Sequence, residues 1–326
     1  MPRLSVAEER FPIAGRFTIS RGSRTEAVVV TAAIAEDNIA GRGECVPYAR
    51  YGETVEGVRD LIAAQAGAIA QGATRRDLAR LLPAGAARNA LDCALWNLEA
   101  KRAGKPVWEI ANLPRPLPVI TAYTLSLGTP DEMEAAARRE NSRPLLKIKL
   151  GGEGDDERIA AVRRSAPQAT LIADANEAWS EATFQNNMKA CERAGVKLIE
   201  QPFPADQDGL LLEIKSTIPI CADESVHDAA SLDGIAARYQ MINIKLDKTG
   251  GLTEALKLAQ AARAKGLGIM VGCMVGTSLA MAPAMLLAGF AQYIDLDGPL
   301  LLARDRDPGL RFEGSQIHPP TAELWG

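Results

Sequence analysis

The chain has 326 residues, enough for one barrel of roughly 200–250 residues with a smaller domain beside it. Its net charge of −4 and the lack of any long Lys/Arg run give no footprint for nucleic acid or an anionic membrane, which leaves a small molecule as the expected partner. The first residues hold no apolar signal core, and the longest apolar stretch, residues 278–290, is too short to span a bilayer, so a cytoplasmic location is expected.

Five cysteines (Cys45, Cys93, Cys191, Cys221, Cys273) are odd in number and never in Cys-x-x-Cys spacing, which argues against a disulfide framework or a thiolate zinc site. Two histidines, His227 and His318, are too few for an imidazole-rich metal site and weaken any Ser-His-Asp reading. The chemistry must rest on carboxylates and lysines.

In chain order, residues 1–46 alternate strand-like runs (4–11, 27–34, 41–45) with turn signals, a small antiparallel meander in which 21–24 is a Gly-containing loop. Residues 55–113 turn largely helical, ending in an Ala-rich stretch at 84–103 that Gly104 closes. Strands followed by helices make residues 1–114 an α+β domain, which a C-terminal segment, 304–326, is expected to complete. From 115 to 303 the rhythm becomes short β-rich runs separated by helical segments. Eight runs are present, at 118–125, 145–150, 170–175, 197–201, 218–223, 241–246, 268–272 and 292–297. Helical segments fall at 131–140, 157–165, 181–194, 228–237, 253–265 and 277–289. Eight strands alternating with helices predict an α/β fold of the (β/α) barrel type, with functional side chains at the strands' C-terminal ends.

Three successive runs end in an acid: Asp174, Glu200 and Asp223. Neighbouring strands lie ~4.8 Å apart, so carboxylates at one height on three of them can converge on one ion. Any one of them alone is as well read as a helix N-cap; three in register favour a metal site. Oxygen ligands without His or Cys point to a hard cation, and Mg²⁺ keeps positions open for substrate oxygens. In the second run Lys147 and Lys149 are two apart and share one side of the strand. Helices cover a barrel's outer face, so both are expected inside. Lys245, on the sixth run, sits across the barrel from them. Like charge from Lys147 and a nearby metal is expected to depress the pKa of Lys149 and make it a usable base. One lysine then removes a proton beside a carboxylate, and the other returns it on the opposite face.

Lys147-Ile-Lys149, Asp174-Ala-Asn176-Glu-Ala-Trp179, Glu200-Gln-Pro202, Asp223-Glu224-Ser225, Asn243-Ile-Lys245 and the stretch from Asn89 to Trp96 together resemble the enolase superfamily, muconate-lactonizing subgroup. The resemblance covers nearly the whole chain. It implies an α+β capping domain over a (β/α)7β barrel, one Mg²⁺ per subunit on Asp174, Glu200 and Asp223, and acid/base roles for Lys149 and Lys245. Asn176 and Glu224 are implied as supporting residues, and Lys147 and Thr124 as substrate contacts. Members of the subgroup often assemble, so a homo-oligomer stays open.

The last run ends Asp295-Leu-Asp297, and two more acids in a site already rich in them call for a substrate ammonium. The loop Arg21-Gly-Ser-Arg24 is in place to bring a guanidinium, that of Arg24, to a distal carboxylate. A dipeptide with an acidic C-terminal residue fits, and the chain resembles the L-Ala-D/L-Glu epimerases of cell-wall peptide recycling. Another reaction of the same scaffold, o-succinylbenzoate synthesis or cycloisomerisation, remains an alternative, as do a Schiff-base aldolase and a non-catalytic carboxylate-binding barrel.

Overall fold

A computed structural model describes residues 1–326. The chain opens with a hairpin of β1 (Arg3–Ile19) and β2 (Gly22–Glu36), and β3 (Ile39–Cys45) pairs antiparallel with β2. The hairpin is longer than the sequence suggests. Pro12 cannot donate to the ladder, and the register shifts between Pro12 and Phe17; the strands then resume with Phe17 opposite Arg24 and Ile19 opposite Gly22. Only Ser20 and Arg21 are left to turn, so Arg24 stands on β2 and not in a loop.

The helical stretch resolves into α1 (Val55–Ala63), α2 (Ala66–Ala70), α3 (Arg75–Leu81), α4 (Ala86–Ala103) and α5 (Val107–Ile110), with Gly104 closing α4 in the left-handed region at φ 61°. The small residues of α4 let β3 rest on its backbone. A Cβ on Gly41 would lie 2.1 Å from the Ala94 carbonyl oxygen, and one on Gly43 2.1 Å from that of Ala90. Other residues of α4, Cys93, Trp96 and Ala100, pack into the barrel's core, so this one helix serves both units.

After β4 (Val119–Ile120) come β5 (Tyr123–Leu125), α6 (Pro130–Arg139), β6 (Leu145–Lys149), α7 (Asp155–Ser165), β7 (Thr170–Asp174), α8 (Glu181–Ala194), β8 (Ile199–Glu200) and β9 (Ile220–Ala222). Then follow α9 (Leu232–Ile235), β10 (Met241–Ile244), α10 (Leu246–Thr249), α11 (Leu252–Ala264), β11 (Gly268–Gly272), α12 (Ser278–Ala284), β12 (Tyr293–Asp295) and α13 (Gly298–Leu301). Strands β5 to β12 pair parallel in sequence order. The Ala122 N–H bonds the Ile294 oxygen at 2.7 Å and the Leu296 N–H bonds Thr121 Oγ1 at 2.8 Å, which brings the first and last strands together. All eight predicted runs supply a strand of this barrel.

The helices depart further from expectation. Between β8 and β9, where the sequence marks no helical segment, the connection is a 3₁₀ segment, Asp208–Leu212. Residues 228–237 make a 3₁₀ turn and the single turn of α9. The expected helix over 277–289 divides into α12 and a 3₁₀ segment, Met285–Phe290, just after Pro283, which lacks the N–H that continues an α-helix. At the chain's end β13 (Phe312–Glu313) pairs with β14 (Gln316–Ile317), which pairs in turn with β4, and the indole N–H of buried Trp325 bonds the Cys93 oxygen on α4 at 3.1 Å. No helix is long and apolar enough to cross a membrane.

Period-two alternation sets the barrel's interior. Ala122, Leu145, Ile172, Leu198, Cys221, Met241 and Met270 form a separate apolar cluster. Two residues further along the same strands stand Thr124, Lys147, Asp174, Glu200, Asp223, Asn243 and Gly272. An apolar plug thus carries a polar floor.

The contact of β3 with α4 is testable. Gly43→Ala must push the helix away and is expected to lower unfolding free energy by about 1–3 kcal/mol. Gly67→Ala, inside α2 with nothing within 4 Å of its Cβ position, is the control and should match or slightly exceed the parent in urea and thermal unfolding.

Candidate active site

The polar floor opens into a cavity of about 410 Å³ between the barrel and the hairpin, lined by Lys147, Lys149, Lys245, Asp223, Asp295 and Asp297 and walled by apolar residues such as Ile13, Phe17 and Ile19. Lys149 ends β6 and Lys245 follows β10. These strands are four apart in a ring of eight, so the two lysines rise from opposite sides of the cavity. Both side chains are buried.

Register brings the acids together. Asp174 is the partner of Glu200 across β7 and β8, and Glu200 is the partner of Cys221, two residues before Asp223. Gly272 helps from β11: a Cβ there would lie 2.6 Å from the Asn243 side-chain oxygen, so glycine leaves Asn243 room to donate to Glu200 Oε1 at 2.7 Å.

Each acid lies on a lysine. Asp174 Oδ2 is 2.5 Å from Lys149 Nζ and 3.1 Å from Lys147 Nζ. Glu200 Oε2 is 2.6 Å from Lys147 Nζ, and Asp223 Oδ2 is 2.7 Å from Lys245 Nζ. Burial alone favours the neutral carboxyl, but Lys149 and Lys147 hold Asp174 below its usual range, and Lys245 and Lys248 hold Asp223 far below it. Glu200 goes the other way: burial, then the neighbouring Asp174 charge, pushes it up to about 7. Burial likewise opposes the charge on Lys147 and Lys245, yet the surrounding acids outweigh it and both ammonium groups sit well above the ordinary lysine range. Lys147 is therefore no free like charge beside Lys149; it is spent on Glu200, Asp295 and Asp174.

The acids point at lysines rather than at one another, and no three of them are gathered closely enough to hold an ion. The donor set nevertheless suits one. Six buried side-chain polar atoms in the chain lack a hydrogen-bond partner, and five are oxygens of this region, on Asn176, Glu200, Glu224, Asn243 and Asp295. The short Glu200–Lys147 approach is an ion pair without hydrogen-bond geometry. A buried surplus of unmet oxygens, all hard donors, is what a hard cation answers. Asp174, Glu200 and Asp223 are the residues placed to hold it, on giving up their lysines.

The acids after β12 differ from each other. Asp295 Oδ2 is 2.8 Å from Lys147 Nζ, so this carboxylate is already paired. Asp297 faces the cavity with no cationic partner; its Oδ2 accepts the Thr124 N–H at 2.6 Å, and burial together with Asp295 pushes it up to about 7. At the hairpin, Arg24 makes no ion pair and lies over the Tyr48 ring, 5.5 Å from its centre. Arg21 is committed elsewhere, with Nη2 2.6 Å from Glu224 Oε1 and Nη1 2.9 Å from the Asn176 carbonyl oxygen. Of the two guanidiniums on this segment, Arg24 is the one left for a ligand.

One further lysine belongs to the site and is not among the residues predicted for it: Lys248, whose buried Nζ donates to Asp223 Oδ1, the Asp223 carbonyl oxygen and that of Asn243. Its signal is the spacing from Lys245: three residues on, the single turn of α10 carries it back beneath the strand ends.

Residues 2–111 match the mandelate racemase/muconate lactonizing enzyme N-terminal domain, and residues 131–323 match the enolase C-terminal domain-like family. The chain is 45% identical over 320 residues to the L-Ala-D/L-Glu epimerase of Escherichia coli, covering 98% of this chain and 100% of the relative. It is also 45% identical over 302 residues to an N-acetyl-D-glutamate racemase of Pseudoalteromonas, covering 91% and 95%. A crystal structure of an Agrobacterium tumefaciens enolase family member with homology to dipeptide epimerases, holding sodium and L-Ala-L-Glu with an ordered loop, superposes at a TM-score of 0.98 with 52% identity over 100% of both chains. The dipeptide epimerase of Methylococcus capsulatus, complexed with Mg and L-Arg-D-Lys, superposes at 0.87 with 29% identity over 97% of this chain and 96% of that one. Sequence, fold and cap-over-barrel arrangement agree: the chain belongs to the mandelate racemase/muconate lactonizing enzyme family of the enolase superfamily.

Proposed function

We propose that the protein is an isomerase that epimerises dipeptides of the L-Ala-D/L-Glu type by moving the α-proton of the C-terminal residue. The observation that carries this reading is the pair of lysines on opposite sides of one cavity, with an unpaired carboxylate, Asp297, in the same cavity. An α-carbon held between Lys149 and Lys245 loses its proton to one and regains it from the other on the opposite face, which inverts the centre. Lys149 now donates to Asp174 and Lys245 to Asp223, so a lysine that acts as base must first leave its acid. A Mg²⁺ on Asp174, Glu200 and Asp223, one per subunit, would supply the positive charge that stabilises the doubly negative enediolate. Lys147 balances Asp295 and Glu200 beneath the substrate, and Asn176 and Glu224 border the ion's surroundings.

Asp297, aimed by the Thr124 N–H, receives the dipeptide's ammonium group, and Arg24 meets the acidic side chain from the hairpin. The setting we assign is cytoplasmic recycling of cell-wall peptides, an assignment that rests on likeness to the epimerases.

The likeness to an N-acetyl-D-glutamate racemase raises a second reading. N-acetylglutamate offers the same α-proton and the same two carboxylates but has no ammonium, and it would leave Asp297 buried beside an apolar methyl group. The unpaired Asp297 therefore favours the dipeptide.

Asp297→Asn separates the two readings. A hydrogen bond to a charged group contributes about 1.5–3 kcal/mol, so kcat/KM for L-Ala-L-Glu should fall about 10- to 100-fold while any turnover of N-acetylglutamate holds or improves. Wild-type preference for N-acetylglutamate would establish the rival reading. The pH profile carries the same signature. Asp297 must be ionised to hold an ammonium, and with its carboxyl pushed up to about 7, kcat/KM for the dipeptide should decline as pH falls below that value. The Asn variant should lose that limb.

Lys149→Ala and Lys245→Ala should each slow epimerisation by about 10²–10⁴-fold. In D₂O each should still exchange the α-proton of one epimer only, and opposite epimers for the two variants, as followed by mass gain. Chelation of divalent cations should stop exchange in the wild type, and Mg²⁺ should restore it.

A further inference from the structure

Two segments of the cap frame the entrance: the hairpin tip at Ser20 and Arg21, and the turn Ala49–Tyr51. Both reach one residue of the barrel that does not line the cavity, which joins them to each other, while Arg21 at the hairpin tip is also held by Glu224 at 2.6 Å. Glu177 follows β7, and its side chain is only 8% exposed. Its Oε2 accepts from Arg50 Nε at 2.7 Å and from Arg21 Nη1 at 3.2 Å. Its Oε1 accepts from Arg50 Nη2 at 2.7 Å and from the Ala205 N–H at 2.9 Å. One carboxylate thus receives two cap arginines, one of them bidentate.

The backbone beneath is shaped for this. Asn176 and Glu177 are consecutive non-glycine residues in the left-handed region, at φ 44° and 67°, a conformation such residues hold only when their surroundings impose it. Here the Asn176 carbonyl oxygen meets the hairpin tip and accepts from Ser20 Oγ and Arg21 Nη1, each at 2.9 Å. The Glu177 N–H is held from below by the Gln201 oxygen at 2.9 Å. What the catch would govern lies just behind it: Phe17 and Ile19 wall the cavity, and the Phe17 ring is 5.9 Å from Lys149 Nζ.

We propose that Glu177 is the catch that holds the hairpin tip and the Ala49–Tyr51 turn closed together over the barrel, a positioning residue that sets substrate retention without touching substrate. The kinetic part of this rests on the dipeptide reading above; the structural part does not.

Glu177→Gln keeps the size of the side chain and removes its charge. In the substrate-free enzyme, amide hydrogen exchange across residues 13–26 and 48–53 should accelerate about tenfold or more, while exchange in the barrel strands stays at wild-type rates. With L-Ala-L-Glu, KM should rise about tenfold and kcat should stay within about threefold, the split expected when retention rather than proton transfer is lost. Arg50→Met, which breaks the bidentate pair from the cap side, should give the same pattern at smaller size and serves if the Glu177 variant does not fold. Unchanged exchange in the hairpin of either folded variant, or faster exchange spread equally through the barrel, overturns the proposal. Loss of hairpin protection in an enzyme that never turns over dipeptides would instead leave the catch standing and remove the substrate.

Discussion

Buried charge must be answered by buried charge, and the interior of this barrel is organised by that constraint. Lys147, Lys149, Lys245 and Lys248 share a small volume with Asp174, Glu200, Asp223 and Asp295, all removed from water. Breaking one partner out of such a buried set typically costs about 3–5 kcal/mol, because the group left behind keeps its charge without solvent. The groups therefore act as one network. Each of these four acids lies on one or more of the four lysines, and Asp297 is the cavity acid that no lysine reaches. A cavity that offers one carboxylate without a lysine, Asp297, and one guanidinium without an acid, Arg24, suits a ligand that carries both an ammonium and a carboxylate.

The same balance gives the lysines their chemistry. An ammonium firmly paired to a carboxylate is a poor proton carrier, since its neutral form leaves that carboxylate uncompensated. In the proposed mechanism Asp174 and Asp223 would hold the metal ion, and Lys149 or Lys245 can change protonation state only once its acid is compensated in that other way. The unmet oxygens on Glu200, Asn176, Glu224 and Asn243 fit this exchange, as they are acceptors that the lysines alone do not satisfy. The acid cluster and the lysine pair are then interdependent: each is unsuited to its task while the other holds it.

How much of this is legible in the sequence follows from what each feature depends on. The eight strands are readable because each is a short apolar run of β-rich composition, and the polar floor is readable because i and i+2 share a face. The acids at 174, 200 and 223 and the lysines at 149 and 245 belong to that pattern. The limits appear where the outcome depends on contacts distant in the chain. The hairpin looks like a loop at 21–24 because Gly22 and Ser23 are turn formers, yet its pairing is fixed by the shift beyond Pro12. Arg21 and Arg24 are indistinguishable by type, and only the fold shows that Glu224 and Asn176 engage the first and leave the second free. Asp295 and Asp297 look equivalent two residues apart, but Lys147 reaches only Asp295. The pairing of Glu177 with Arg50, 127 residues apart, has no local signal at all.

These limits follow a division of labour between the two units. The groups proposed to transfer the proton and their counter-charges stand at the ends of barrel strands, where a change of position disturbs the whole charge network and is penalised by it. The groups proposed to judge the substrate stand on the hairpin and at the end of β12, where a side chain can change without unbalancing the interior. Two relatives at 45% identity, one an epimerase of L-Ala-D/L-Glu and one a racemase of N-acetyl-D-glutamate, are what such a division allows. Both reactions invert a carbon beside a carboxylate, and the substrates differ in whether an ammonium is present. On the proposed reading the choice between them falls to Asp297, the acid that the lysine network leaves unpaired.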